Sequence, residues 1–200
     1  MRRIMLLFLL ILLAGTGFSQ YNWKLEKDKN GIKVYKSDIP GSDFKAIKVE
    51  CTLAGNYTKL ISVLTNVARF SDWIYNTKST NLVQQITPLD IIYYSETYLP
   101  WPMANRDAVI RIKIKTDSLP RLLTITGSSE SARVAIIPGK VRVSHYVSKW
   151  RVIMPSANTI RIHYILEVDP GGSIPGWVAN MFAEKGPYET FSNLASQLKQ

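Results

Sequence analysis

Residues 160–177 narrow the choice of folds more than any other stretch, because a half-buried strand there runs through a proline-glycine stop directly into an apolar helix. Ile160, Ile162, Tyr164, Leu166 and Val168 alternate with Arg161, His163 and Glu167, the period of a strand with one face in a core. Asp169-Pro170-Gly171-Gly172 then ends the pairing, since proline lacks the amide donor and glycine reaches backbone angles closed to other residues. Ser173 is placed to cap the next amides, and Pro175 suits a first helical turn, where its missing N–H has no intrahelical partner anyway. Trp177, Val178, Met181, Phe182, Tyr188, Phe191, Leu194 and Leu198 recur at helical spacing, with a kink expected at Gly186-Pro187. So apolar a helix needs a broad apolar surface to lie on, and Trp177 is expected in the core.

The preceding chain supplies that surface. Asn30-Gly31 is a strong turn signal before the strand-like Ile32-Lys33-Val34-Tyr35, with a return strand over 44–53; residues 21–25 read either as a short helix or as an extended lead-in. Asn56 is placed to cap a helix with Leu60, Ile61, Leu64, Val67, Ala68 and Phe70 on one side, ending near Trp73 and Ile74. From 80 to 156 no helical period occurs, only strand-like runs at 81–87, 91–99, 106–115, 122–126 and 141–152, separated by proline, glycine and serine. In the clearest of them Ala108, Ile110, Ile112 and Ile114 share one face, and Asp107, Arg111, Lys113 and Lys115 the other, which specifies one register. The element order predicts α+β architecture: a curved antiparallel sheet of about seven strands with the terminal helix packed across it. Whether the enclosed volume is filled or hollow is not a property of periodicity.

The first residues have the layout of a secretory leader: Arg2-Arg3, an apolar run from Ile4 to Leu13, then small residues to Ser19. Cleavage is expected before Gln20, leaving 20–200 as a single exported domain, periplasmic or secreted; the run of about ten apolar residues is short of the roughly twenty that span a bilayer. Net charge is +10, and losing Arg2 and Arg3 leaves +8. The basic residues are scattered over strand faces, which fits weak, transient attraction to an anionic membrane surface or plain solubility, and not nucleic-acid reading. Cys51, the single cysteine, alternates with Ile47, Val49 and Leu53 as a small core residue, and excludes an internal disulfide or cysteine-based zinc site. His145 and His163, the two histidines, sit in separate strands, and no phosphate-binding glycine loop or glycine-flanked serine is present. A non-enzymatic protein without metal or cofactor is expected. The alternatives are an enzyme acting on a hydrophobic substrate in the same cavity, or a structural or partner-binding module with that space filled.

Arg106-Asp107 opening the central strand, Trp150-Arg151 with Pro155 soon after, and Asp169-Pro170-Gly171-Gly172 followed by Pro175, Trp177 and Asn180 carry a family likeness. In this order, and joined to the elements above, they resemble the START domain, a family of lipid-transfer modules, across residues 23–198. The resemblance implies a helix-grip fold, in which the sheet wraps the C-terminal helix around a tunnel for one lipid-sized molecule, in a protein expected to be a monomer. It implies a lid made by the helix from Ile174 onward and the loop 116–120, with Leu119 at a membrane-touching tip. The implied wall comprises Ile110, Ile112, Ile114, Tyr164, Leu166, Trp177, Met181 and Phe182. Unlike some sterol-binding members, this chain has no basic residue on the inward series of the central strand. Independently of the family, Arg106, Asp107 and Trp150 suit structural bonding and packing, and Ser173 and Asn180 suit caps or turn contacts.

Overall fold

The structure is a computed structural model describing residues 21–42, 44–117 and 122–199. The leader and the loop tip with Leu119 lie outside the described residues. Strands β1 (Lys24–Lys29) and β2 (Ile32–Asp38) form a hairpin through Asn30 and Gly31. Both turn residues have positive φ, 52° and 74°, the geometry whose twist matches paired strands. Residues 24–29 are therefore a strand, and the lead-in is extended. β3 (Lys45–Ala54) returns alongside β2.

Helix α1 (Tyr57–Thr65) starts where expected, with Oδ1 of Asn56 accepting the Lys59 N–H at 2.9 Å. It stops at 65. A 3-10 helix (Val67–Asp72) carries the chain onward, keeping Phe70 buried while Trp73 follows on the same side.

Next come β4 (Thr77–Thr87), β5 (Asp90–Thr97), β6 (Arg106–Asp117) and β7 (Leu122–Ser129), then β8 (Val141–Arg142), β9 (His145–Ser156) and β10 (Thr159–Asp169). The main sheet runs β1-β2-β3-β10-β9-β7-β6-β5-β4, antiparallel throughout, with β8 pairing β6 in parallel off this path. Ten strands among the described residues thus replace the expected seven or so. The run 141–152 divides because Val141 and Arg142 leave for the start of β6, where Arg142 meets Asp107. β10 lies near the middle, between β3 and β9, so the alternating strand of Ile160 to Val168 has a partner on each side.

Across this sheet lies a continuous helical segment: α2 (Gly176–Asn180), a π-turn (Met181–Lys185) and α3 (Gly186–Gln197). Ser173 makes no cap, and Pro175 itself is the residue before the first turn. The irregularity expected at Gly186-Pro187 is the π-turn. Pro187 has no N–H to donate, and the Gly186 N–H reaches Met181 O, five residues back. A side chain at 186 would crowd the turn before β4, since a Cβ there would stand 3.1 Å from Tyr75 Cδ1. α3 is gripped by an aromatic cluster in which Phe191 lies 5.2 Å from Trp150 and 5.3 Å from Tyr164, ring centre to ring centre. At its end Leu198 packs on Gly55, so the helix crosses the sheet from the β10 exit to the α1 entrance.

Candidate ligand site

Between the concave face of the sheet, the residues around Trp73 and the C-terminal helix lies a cavity of about 230 Å³. β6 contributes Ala108, Ile110 and Ile112; β10 contributes Tyr164, Leu166 and Val168; the helix contributes Phe182, Pro187 and Phe191. Of the wall expected from sequence, Ile110, Ile112, Tyr164, Leu166 and Phe182 come together around this space. Ile114, Trp177 and Met181 do not. Ile114 is on the same face of β6 and is buried in the core without bordering the hollow, although Ile125, opposite it on β7, does border it. Trp177 is 58% exposed: Val178, fully buried, takes the inward position of α2, and its neighbour consequently points to solvent. Met181 is half-buried outside the cavity, because it lies one helical turn after Trp177 and follows it around, whereas Phe182 follows the inward Val178.

β5 and β9 add wall residues that the reading passed over, notably Tyr93, Ser95, Tyr146, Ser148 and Trp150. The signal for β5 was register. In an antiparallel pair, directly opposite residues share a face, and Tyr93 opposes Ile110 while Ser95 opposes Ala108. Trp150 is both packing and wall.

No Asp, Glu, Lys, Arg or His is among the residues lining this cavity. Three of its phenols are held neutral: burial pushes the Tyr93 and Tyr164 hydroxyls well above their usual range, and Tyr146 upward. The wall hydroxyls therefore have no general base beside them, as nucleophilic chemistry requires. Cys51 is buried away from the cavity, and burial raises its thiol to about 12, far from the range of a reactive thiolate. His163 is on the opposite face from Tyr164, 3.7 Å from Glu50, and desolvation lowers its pKa despite that carboxylate. His145 is exposed. Among the described residues no three His, Cys, Asp or Glu side chains converge as a metal site.

The motif residues form a clamp at one end of the cavity. Arg106, 5% exposed, donates to Ala104 O (2.7 Å), Pro170 O (3.1 Å) and Gly171 O (2.9 Å). Asp169 Oδ1 accepts the Gly171 N–H at 2.7 Å. Gly171 and Gly172 both have positive φ, and a Cβ on Gly171 would meet Val141 Cγ1 at 3.0 Å. Arg106 thus ties the loop 98–105 to the turn that precedes α2. The loop carries the exposed Trp101, at 89%, and α2, into which the turn leads, carries the exposed Trp177. Asn180 is exposed and takes no part in the clamp. Of the loop expected to share the lid, 116–120, residues 118–120 lie outside the described residues; the strand ends that flank it are at the other end of the sheet, where Leu122 opposes Ile153, which opposes Arg161 at the start of β10. The segment flanking the helix start is 98–105.

A family model described as START domain matches residues 9–200. An uncharacterized protein of Pseudomonas aeruginosa is 28% identical over 183 residues, 92% of this chain and 89% of that one. Phosphatidylcholine transfer protein of Bos taurus is 24% identical over 168 residues, 82% of this chain and 78% of its own. The crystal structure of a STAR-related lipid transfer protein fragment from Xanthomonas axonopodis superposes with a TM-score of 0.80 at 29% identity, covering 89% of this chain and 99% of that one. Human StAR-related lipid transfer protein 5 shares the fold, with a TM-score of 0.72 at 17% identity over 89% and 86% of the two chains.

Proposed function

This chain belongs to the START domain family, and from that premise we propose that it binds a lipid or other hydrophobic small molecule in the cavity and carries it between membranes. The observation that carries the reading is the hollow itself: apolar walls, no ionisable acid or base, and a helix closing one side. Such a space suits holding a ligand and is poorly equipped for chemistry on it. The names of the relatives support the same class of cargo.

Entry needs a moving part, and the helix is the best placed one. Its start follows two glycines with left-handed backbone, and its middle is widened at the π-turn. Trp101 and Trp177, held at one end by the Arg106 clamp, are amphipathic side chains suited to the interface of a bilayer. The surplus of positive charge favours an anionic surface. Export remains part of the proposal: protein from its native host is expected to begin near Gln20.

Native mass spectrometry of the purified protein, followed by organic extraction, tests the binding step; a chain that emerges empty and takes up no hydrophobic probe would sink it. The gate is tested by Tyr75→Cys with Phe182→Cys in a Cys51→Ser background, two wall positions whose native rings lie 6.0 Å apart. Joined by a cleavable thiol crosslinker, they are expected to block exchange between vesicles and to restore it on cleavage. Equal exchange in both states would remove the helix as gate. Exchange on anionic vesicles is expected to slow in high salt.

A further inference from the structure

The two halves of the C-terminal helical segment are fastened very unevenly. In 186–198, Gly186, Pro187, Tyr188, Phe191, Leu194 and Leu198 are buried. Polar ties add to that packing: Asn30 Nδ2 donates to the Tyr188 hydroxyl at 3.2 Å, the Tyr75 N–H to Thr190 Oγ1 at 3.1 Å, and Asn193 Nδ2 to the Trp73 carbonyl at 3.3 Å. The Lys27 ammonium stands 4.0 Å from the centre of the Tyr188 ring. In 172–185, by contrast, Val178 alone is buried. α2 has no side-chain cap, Lys185 stands 5.8 Å from the centre of the Tyr75 ring, and the Glu184–Lys36 ion pair at 3.2 Å is partly open to solvent. Contacts of that kind hold little.

Just before the loose half the chain is fixed again. Arg106 holds the carbonyls of Pro170 and Gly171, Asp169 holds the Gly171 N–H, and a Cβ on Gly171 would stand 3.0 Å from Val141 Cγ1 and 3.4 Å from Arg142 O. Gly171 is thus seated against β8. Gly172 is exposed, and a Cβ there would meet nothing closer than Arg106 Nη2 at 3.7 Å. Its φ of 61° is one that glycine enters and leaves easily. At the other end the helix changes character in the π-turn, where the Gly186 N–H reaches Met181 O, an irregularity at which helices bend.

The two halves also differ in what they give the cavity. Of residues 172–185, Phe182 alone borders it, its ring edge-on to Tyr75 at 6.0 Å. α3 supplies Gly186, Pro187, Thr190 and Phe191 to the wall. Proteins open in contiguous units, and the units that open most readily are those with few buried contacts.

We propose, resting on the binding reading above, that the gate is 172–185 alone, and that it swings between two fixed ends, the turn held by Arg106 and the junction at Gly186. Opening lifts Phe182 away from Tyr75 and leaves α3 on the sheet as a permanent wall, so the aromatic cluster around Phe191 stays intact. Arg106 is the positioning residue of this gate: it fixes the place of the pivot and is not a latch that must break.

Hydrogen exchange of the ligand-free full chain tests the division first. Amides of 176–185 are expected to exchange at least about tenfold faster than those of 189–197, as a separate opening unit does; one common rate over 176–197 would overturn the proposal. Tethers test the motion, read as release of a pyrene-labelled long-chain alcohol to vesicles of phosphatidylcholine and phosphatidylglycerol. In the Cys51→Ser background, Tyr75→Cys crosslinked to Phe182→Cys is expected to stop release, whereas Lys27→Cys crosslinked to Tyr188→Cys, which clamps α3, is expected to leave its rate unchanged. Release that continues with 182 tethered, or stops with 188 tethered, would overturn it. Arg106→Met is expected to speed release and to raise exchange in 172–185 while 189–197 stays as it was, with Arg106→Lys, which keeps a cationic donor, between it and wild type. A folded Arg106→Met chain whose exchange is unchanged, or rises equally in both halves, would remove Arg106 as the post; if that chain does not fold, wild-type exchange and the tethers still decide. Wild type that takes up none of the alcohol would instead overturn the binding reading, and the exchange rates, which need no cargo, would still decide the division.

Discussion

On the outer face of β6, Asp107 and Val109 are 2% and 0% exposed, while on the inner face Ala108 and Ile112 are only half-buried beside the cavity. The alternation of the strand predicts the reverse, a wet charged face and a dry apolar one. The outer face is dry because the segment 130–143 folds over it. Val134 and Ile137 cover Val109, Ile92 and Tyr94, and Arg142 donates to both oxygens of Asp107, at 2.8 and 2.9 Å, and to the carbonyls of Ser131, Val134 and Ala135. All five guanidinium N–H groups are used. The inner face keeps open space because the helix bridges the sheet without filling the hollow beneath it. One strand therefore has a closed, bonded side that holds the fold and an open, apolar side free to hold something else.

The largest expected effect breaks the closed side. Arg142→Met leaves the Asp107 carboxylate and three carbonyls unpaired, and breaking one partner of a buried pair costs about 3–5 kcal/mol. Urea denaturation reads it; a loss below about 1 kcal/mol would mean that the cover contributes little and that the contrast between the faces is cosmetic.

The acid dependence of the same side comes next. Burial alone would raise the pKa of Glu96, but bonds from Lys140 (2.6 Å), Asn105 (2.6 Å) and Lys78 (3.0 Å) outweigh it and hold the carboxyl at about 2, below its ordinary 4.5. A carboxyl lowered in the folded state stabilises fully above its unfolded pKa, and that contribution fades as pH falls from about 4.5 to about 2. It amounts to about 2–3 kcal/mol. Glu96→Gln is expected to flatten the stability curve across that interval, and an unchanged slope would show the three donors to be idle.

The smallest stability effect is expected on the open side. Ile112→Trp puts bulk into the hollow, so stability should fall by less than about 1 kcal/mol, where overpacking a filled core costs about 1–3 kcal/mol. Ligand uptake should drop sharply. A large stability loss with no change in uptake would show that the hollow is not where ligands go.

Much of the fold was legible in local pattern. The Asn56 cap, the Asn30-Gly31 turn, the stop at Asp169 to Gly172 and the inward series of β6 each depend on a few adjacent residues, and all stand where they were read. The candidate wall was legible in part. Ile110, Ile112, Tyr164, Leu166 and Phe182 border the hollow because alternation and helical spacing orient a side chain correctly within its own element. Ile114 has the same orientation but lies one pleat past the last residue of β6 that borders the hollow. Met181 and Trp177 do not border it, because α2 turns Val178 inward, and Trp177 with Met181 one turn on faces elsewhere. Trp73 and Thr77 lie at a helix end and the first residue of β4, where no period applies.

What the sequence determined by itself was the α+β order, the register of the central strand, the points of reversal and the family likeness, all properties of near neighbours along the chain. What tertiary structure alone decided was depth: that 130–143 seals the charged side of β6, that Arg106 ties two distant loops together, that Trp177 faces outward, and that a hollow remains under the helix. Facing is set by a residue's own backbone, but burial and empty space are set by what another part of the chain brings opposite it, and no local period encodes that distance.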